Sequence, residues 1–346
     1  MSKLKLAFIY PWATYGGVER ILISRAKFFS DNTNYIVDLV FTHDTGAADS
    51  IKNAVSACKN INVLVESLDI LRYKSYDYVF CIDFPEAITF CDKHKIKYFA
   101  ECHTSYKENR SYLRKLAPSC LAIICPSDLF IEEIKRETNH LSVPVKLLRN
   151  FVYENDNAFE YCCDKRIFDK KPILFLGRMD HLKNIIELLN AFCIIKKDSD
   201  EFFLLLCGAV SPDVDINFEI NKRKIRGDVV ILPPIAFDKV PLLFKYLLSN
   251  KGIFVSPSTA ESFGLAVSEA IYYEVPTVLS DIRAHKNLVN GFHEEMLYSI
   301  NDPNDLARKI KEIDNNYDSV SEKIIGLKKN FSPESFASDW NNLLIR

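Results

Sequence analysis

No run in this 346-residue chain approaches the ~20 consecutive apolar residues that a bilayer-spanning helix needs. A secretory layout is missing too, because Met1-Ser2-Lys3-Leu4-Lys5 leads directly into a strand pattern. These absences point to the cytoplasm, with peripheral contact at the inner membrane face as the one membrane role left open. The ten cysteines include no C-x-x-C pair. Cys81, Cys125, Cys193 and Cys207 sit in apolar runs, as small core residues do in a reducing compartment, and the adjacent Cys162-Cys163 fall in a linker. Neither sign of charge dominates, with 44 Lys and Arg against 46 Asp and Glu, and nucleic acid is not an expected partner. Residues 1–150 carry 20 basic against 17 acidic groups and the remainder 24 against 29. That asymmetry is compatible with a first domain that approaches anionic lipid or a phosphate-bearing acceptor, and a solvated surface explains it as well. The G-x-G-x-x-G fingerprint is also absent, which argues against a nicotinamide-dependent enzyme.

What is present is an alternation of short apolar strands with amphipathic helices. Strand patterns occur at Leu4–Tyr10, Tyr35–Phe41, Ile61–Val65, Tyr78–Ile82, Lys97–Cys102, Leu121–Pro126 and Val145–Leu148. After a polar stretch they resume at Ile173–Leu176, Phe202–Cys207, Val229–Leu232, Ile253–Val255 and Thr277–Leu279. Strands of this kind, separated by helices, predict an α/β fold with parallel sheets covered on both faces. The pattern breaks between Phe151 and Lys171, which places a linker there. The expected domains are residues 1–150 and 172–331, with a helix at about 332–346 that starts at Ser332-Pro333-Glu334 and needs a partner surface for Phe336, Trp340, Leu343 and Leu344.

In parallel sheets ligands bind at the carboxyl ends of the strands, so the residues there are the site candidates. The stretch Ser256–Glu274 passes from a strand through a Ser/Thr/Gly loop into a helix near Leu265, whose uncapped N–H groups favour an anion. Glu261 in the loop and Glu269 in the helix are carboxylates beside that anion site, suited to hydroxyls of a sugar or ribose. The ligand therefore carries both phosphate and hydroxyls. Gly177-Arg178 and Lys183 lie on another strand-to-helix connection, where a guanidinium fork and a point charge could grip a diphosphate, although taken alone the pattern fits a solvated Arg and Lys better. Gly16 and Gly17 follow the first strand and either permit its turn or let backbone approach a ligand. His103 follows the fifth; a lone histidine is more often a structural hydrogen-bonder than a catalytic group, and its place at a strand end is what makes it a candidate. On the helix after Gly17, Val18, Ile21, Leu22, Ala26 and Phe29 form the apolar face and Glu19, Arg20, Arg25 and Lys27 lie off it. Two D-x-D strings, Asp198-Ser199-Asp200 and Asp213-Val214-Asp215, fall in polar loops and read as coincidental.

Taken in order, Tyr15-Gly16-Gly17-Val18-Glu19-Arg20, His103, Gly177-Arg178 with Lys183-Asn184, and the Glu261 to Glu269 pair with Phe263-Gly264-Leu265 between them resemble the retaining glycosyltransferases of family 4. Asn150 and Gly291 fall where that family commonly places such residues. The resemblance implies a GT-B fold of two facing Rossmann-like domains with an interdomain cleft, and transfer of a sugar from a nucleotide-sugar donor, UDP-sugar favoured, to a glycan or lipid-linked acceptor. It implies that Arg178 and Lys183 hold the diphosphate, assisted by backbone N–H groups of Phe263, Gly264 and Leu265. Glu261 would hold donor-sugar hydroxyls, Glu269 the ribose, and Gly177, just before Arg178, would be among the substrate-binding residues. Gly16 and Gly17 would bring backbone against the donor, and His103 would sit by the transferred sugar. No cofactor and no metal are expected. The chain departs from the family at Pro233-Pro234-Ile235, near the expected base site, and at Ala209-Val210, where a second glycine is usual. A non-catalytic GT-B module that binds a nucleotide sugar or glycan with a partner is the competing reading, and an inverting relative is a closer one.

Overall fold

Two sheets, parallel throughout, organise residues 3–153 and 169–344, which the computed structural model describes. The first comprises β1 (Lys5–Ala13), β2 (Ile36–Asp44), β3 (Ile61–Val65), β4 (Tyr78–Ile82), β5 (Tyr98–Glu101), β6 (Cys120–Cys125) and β7 (Val145–Leu147). Its order is β3-β2-β1-β4-β5-β6-β7. The second comprises β8 (Lys171–Leu176), β9 (Phe202–Cys207), β10 (Val229–Leu232), β11 (Ile253–Ser256), β12 (Thr277–Ser280) and β13 (Leu297–Tyr298), in the order β10-β9-β8-β11-β12-β13. Each order reverses once, between β1 and β4 and between β8 and β11. Such a reversal sends the flanking helices to opposite faces and opens a crevice at the strands' carboxyl ends, where ligands of open α/β sheets bind.

The chain divides into unit 1, Met1–Glu154 with Ser332–Arg346, and unit 2, Asn155–Phe331. Strands of both are apolar along their length because helices cover both faces: Leu6 to Ile9 and Leu204 to Cys207 are essentially inaccessible. Cys81, Cys91, Cys102, Cys120 and Cys125 fill the unit 1 core as free thiols, burial holding those of Cys81, Cys102, Cys120 and Cys125 in the neutral form. The helix Pro333–Leu344 belongs to unit 1. Its Trp340 ring lies 4.8 Å from Phe29 and 5.5 Å from Phe80, and Phe336 lies 4.4 Å from Phe151. Arg149 anchors the same helix through Asp339 Oδ1 at 2.7 Å.

Most elements begin and end where the sequence pattern puts them. Ser127 caps the helix Asp128–Glu137, accepting from the Phe130 N–H at 3.3 Å. Three readings need correction. Strand β1 continues through Pro11-Trp12-Ala13, which the sequence pattern assigns to the following loop, because pairing with β2 persists to Ala13↔Asp44. Glu19 and Arg25 are fully buried on the helix Gly17–Asn32 rather than lying on its polar side, Glu19 bonded by half-buried Thr14 and Arg25 paired with buried Glu101. The short β13 carries too few residues to show a period. Cys162-Cys163 and most of the linker stretch lie outside the described residues. No helix among the described residues is long and apolar enough to cross a membrane.

Candidate active site

In unit 2 the parallel pairing Ile253↔Ile173 and Phe254↔Leu174 sets the carboxyl ends of β8 and β11 side by side. Two loops about 80 residues apart in sequence thereby meet, and hydrogen bonds stitch them. Thr259 donates from its N–H to the Leu182 carbonyl at 2.8 Å and from its hydroxyl at 3.1 Å. Lys183 Nζ lies 2.5 Å from Glu261 Oε1. Beside them Arg178 Nε donates to Asp180 Oδ2 at 2.5 Å, while Asp180 Oδ1 accepts the Lys183 N–H at 2.8 Å. Buried Asp180 thus fixes the loop carrying both cations, a role that no sequence pattern indicated, since an aspartate in a polar loop has no distinguishing period. The Arg178 side chain remains half exposed at the strand end.

Glu261 is largely buried. Burial alone would raise its pKa, but Lys183, His285 and the Ser258 hydroxyl together hold it below the usual glutamate value. Lys183 and Glu261 therefore satisfy one another, and a diphosphate would have to share the lysine. The helix Leu265–Tyr272 starts immediately after this loop. Its N-cap is Gly264, at φ +92°, a left-handed conformation that L side chains rarely adopt, and no side chain caps the first turn. Backbone N–H groups at Gly264 and Leu265 are thus placed at a helix N-terminus, an anion-favouring position. Phe263 turns its ring into the core, 6.4 Å from Phe331, so its contribution to any ligand is backbone. Glu269 is buried one turn into the helix, and Gly177 sits directly after β8, its N–H bonded to the Cys207 carbonyl at 2.9 Å.

Behind Glu261 lies a polar network absent from the sequence reading. The Ser258 hydroxyl donates to Glu261 Oε1 at 2.8 Å and lies 3.3 Å from the Ser256 hydroxyl, which is 3.3 Å from His285 Nε2. His285 Nδ1 lies 3.0 Å from the Ser280 carbonyl. The ring is wholly buried, and burial followed by Lys183 depresses its pKa to about 4, against the opposing pull of Glu261 and Ser280. It is therefore neutral, with Nδ1–H donating to the carbonyl. Between pH 6.5 and about 4 the unfolded chain takes up a proton at this position that the folded chain refuses, so its contribution to stability is lost as pH falls through that window. The loss amounts to about 3 kcal/mol. Denaturant titrations across that window should show it, and His285→Gln should flatten the pH dependence.

In unit 1 the candidates gather at the carboxyl ends of β1, β4 and β5. Gly16 precedes the helix that Gly17 begins. Its φ is −109°, so no special conformation demands glycine, and a Cβ there would come 2.7 Å from Glu19 Oε2, which would have to shift. Glu19 accepts from the Thr14 N–H at 2.7 Å and from its hydroxyl, and burial raises its pKa against those bonds. The glycine thus accommodates the carboxyl that shapes its own loop. His103 is buried after β5, its Nε2 2.6 Å from Glu101 Oε1 and its backbone N–H 3.1 Å from both oxygens of Asp83. Trp12 and Tyr15 stand exposed at the same strand ends. Asn150 is buried with Oδ1 unpartnered among the described residues, and Gly291 takes φ +93° in its turn.

The two D-x-D strings are engaged elsewhere. Asp200 pairs with Lys170 and Lys196, Asp198 with Lys311, Asp215 caps the helix Ile216–Lys222, and Asp213 accepts the His181 N–H at 3.3 Å.

Residues 164–326 match the family Glycosyl transferases group 1. A probable sucrose-phosphate synthase of Thermosipho melanesiensis is 25% identical over 208 residues, covering 58% of this chain and 46% of that protein. The alpha-monoglucosyldiacylglycerol synthase of Streptococcus pneumoniae is 25% identical over 258 residues, covering 66% of this chain and 57% of its own length. The chain thus spans about half the length of these relatives. Among solved structures, Anabaena Alr3699/HepE in complex with UDP and glucose superposes with a TM-score of 0.75 at 15% identity, covering 99% of both chains. That likeness concerns the fold. The matches show that this chain has the α/β architecture of GT-B glycosyltransferases and that its residues 164–326 are similar to the group 1 glycosyl transferases.

Proposed function

We propose that the protein transfers a sugar from a nucleotide-sugar donor, a UDP-sugar by preference, to a hydroxyl of a glycan or lipid-linked glycan, with retention at the anomeric carbon. One observation carries this reading: the Lys183–Glu261 pair, with Arg178 beside it, at the β8/β11 reversal against the uncapped start of the helix Leu265–Tyr272. Two cations and helix N–H groups suit a diphosphate, and a desolvated carboxylate suits hydroxyls. Arg178 and Lys183 bind the diphosphate and stabilise the charge that grows on the departing nucleotide. Backbone of Phe263, Gly264 and Leu265 supports the anion, Gly177 lines the donor at the end of β8, Glu261 receives sugar hydroxyls, and Glu269 the ribose. Gly16 and Gly17 contribute backbone near the donor, and His103 stabilises positive charge on the transferred sugar.

The UDP in the Anabaena structure supports the choice of base, and the lipid named by the streptococcal relative supports a lipid-linked acceptor. Exposed Trp12 and Tyr15 suit an acceptor sugar ring, so unit 1 is the part assigned to any peripheral membrane contact. Lysines at the Asp198 and Asp200 carboxylates, and Arg178 and Lys183 on the loop after β8, support a reaction without a metal or cofactor.

A panel of UDP-, GDP- and ADP-sugars, scored for binding and slow hydrolysis, tests the reading. Donor consumption is expected to persist in excess chelator and to fall steeply in Arg178→Ala. Full dependence on added Mg²⁺ would overturn the metal-free step, and binding without turnover of any donor would favour a non-catalytic binding module.

A further inference from the structure

Arg25 and Glu101 form an ion pair with about 1% side-chain exposure on either partner, beneath the His103 ring. Arg25 reaches the carboxylate through both terminal nitrogens, Nη1 to Oε2 at 2.9 Å and Nη2 to Oε1 at 2.6 Å. Its guanidinium carbon lies 5.7 Å from the ring centres of both Phe8 and Phe336, so β1 and the carboxyl-terminal helix of unit 1 hold it in place. Oε1 also receives His103 Nε2 at 2.6 Å. Stability does not account for such a pair, because apolar residues of similar volume fill a core without the desolvation that two buried charges incur.

The geometry has a direct consequence for the imidazole. Arg25 and His103 outweigh the cost of burial and hold the Glu101 carboxyl down at about 2, so it is ionised and only accepts hydrogen bonds. Nε2 must then carry a hydrogen, and Nδ1, which has no partner among the described residues, is the nitrogen left for a ligand. The backbone is fixed as well. Asp83 accepts the His103 N–H while itself held at φ +43°, a left-handed position stabilised by its own N–H bonding to the Glu101 carbonyl at 2.9 Å.

We propose that Arg25 and Glu101 are positioning residues, which lock the His103 ring with Nε2–H turned onto Glu101 and Nδ1 presented to the transferred sugar. The role of the sugar rests on the function proposed above, whereas the locking of the ring does not. Two measurements on the full-length protein separate them. In ¹⁵N-histidine-labelled wild type, with His103 assigned by its loss in His103→Gln, Nε2 is expected to show the protonated, pyrrole-type shift at neutral pH. An unprotonated Nε2 overturns the proposal whether or not any donor is turned over.

The double variant Arg25→Met/Glu101→Leu removes both charges together and leaves no buried ion unpaired. It is expected to melt near the wild-type temperature, to bind UDP within threefold of wild type, and to lose about 10²-fold in kcat as His103 leaves its geometry. A kcat equal to wild type overturns the proposal, as does a loss of UDP affinity parallel to a fall in Tm, which marks a role in folding alone. Absence of turnover in the wild type counts against the proposed function, and the imidazole spectrum still decides the positioning.

Discussion

Lys183→Ala is expected to lower turnover roughly 10²- to 10³-fold, the loss that follows removal of one preorganised donor from a developing negative charge. Its amine is fixed at 2.5 Å from Glu261 and its backbone is fixed by Asp180, so the charge is in place before any donor arrives. The same variant also leaves Glu261 without its cation, and pH separates the two consequences. In the wild type the Glu261 pKa is lowered, so the pair's contribution to stability is present above the unfolded value of 4.5 and is lost as pH falls through the folded pKa. Without Lys183, burial dominates and raises that pKa. The variant should therefore be less stable than wild type at neutral pH and converge with it in acid, as Glu261 becomes neutral in both. The catalytic loss should remain when stability is matched by a stabilising ligand such as UDP. Turnover within tenfold of wild type, in a folded Lys183→Ala, would remove the lysine from the chemistry.

Trp340→Ala is expected to cost about 3–5 kcal/mol of unit 1 stability, read as a fall in the denaturant midpoint with little change in slope. Trp340 is buried against Phe8, Phe29 and Phe80 of the first sheet and its helix, and stacks on Phe336 at 6.0 Å. Truncation opens a cavity that rigid aromatic neighbours cannot collapse into. The effect should extend beyond stability, because Phe336 is one of the two rings against the Arg25 guanidinium. A destabilisation below 1 kcal/mol would mean that the carboxyl-terminal helix contributes little to unit 1.

Much of the fold was legible because the strands of a sheet covered on both faces are continuous apolar runs. Ile61–Val65, Tyr78–Ile82, Phe202–Cys207 and Val229–Leu232 stand in the structure with the bounds that their composition suggests. The helix after Gly264 begins at Leu265, where the loop residues end. What failed was the assumption that charge marks a solvated face. Glu19 and Arg25 have the period of an exposed surface and the environment of a core, where Thr14 bonds one carboxylate oxygen of Glu19 and Glu101 takes both terminal nitrogens of Arg25. Nothing in a single helix's pattern reports a partner 76 residues away.

By itself the sequence determined the element order, the all-parallel character of the sheets, and which residues stand at strand ends: Arg178, Lys183, Glu261 and His103 among them. Those are local properties, set by apolar run length, glycine and helix-start chemistry within a few residues. Only the tertiary structure decided which strand ends are neighbours. The parallel pairing of β8 with β11 joins Lys183 to Glu261, and the pairing of β4 with β5 sets Asp83 beside His103. It also decided protonation, because the charge states of Glu101, Glu261 and His285 depend on burial and on partners brought from distant segments. Desolvation and Coulomb attraction act over a few ångströms of space, and the chain's order does not encode those distances.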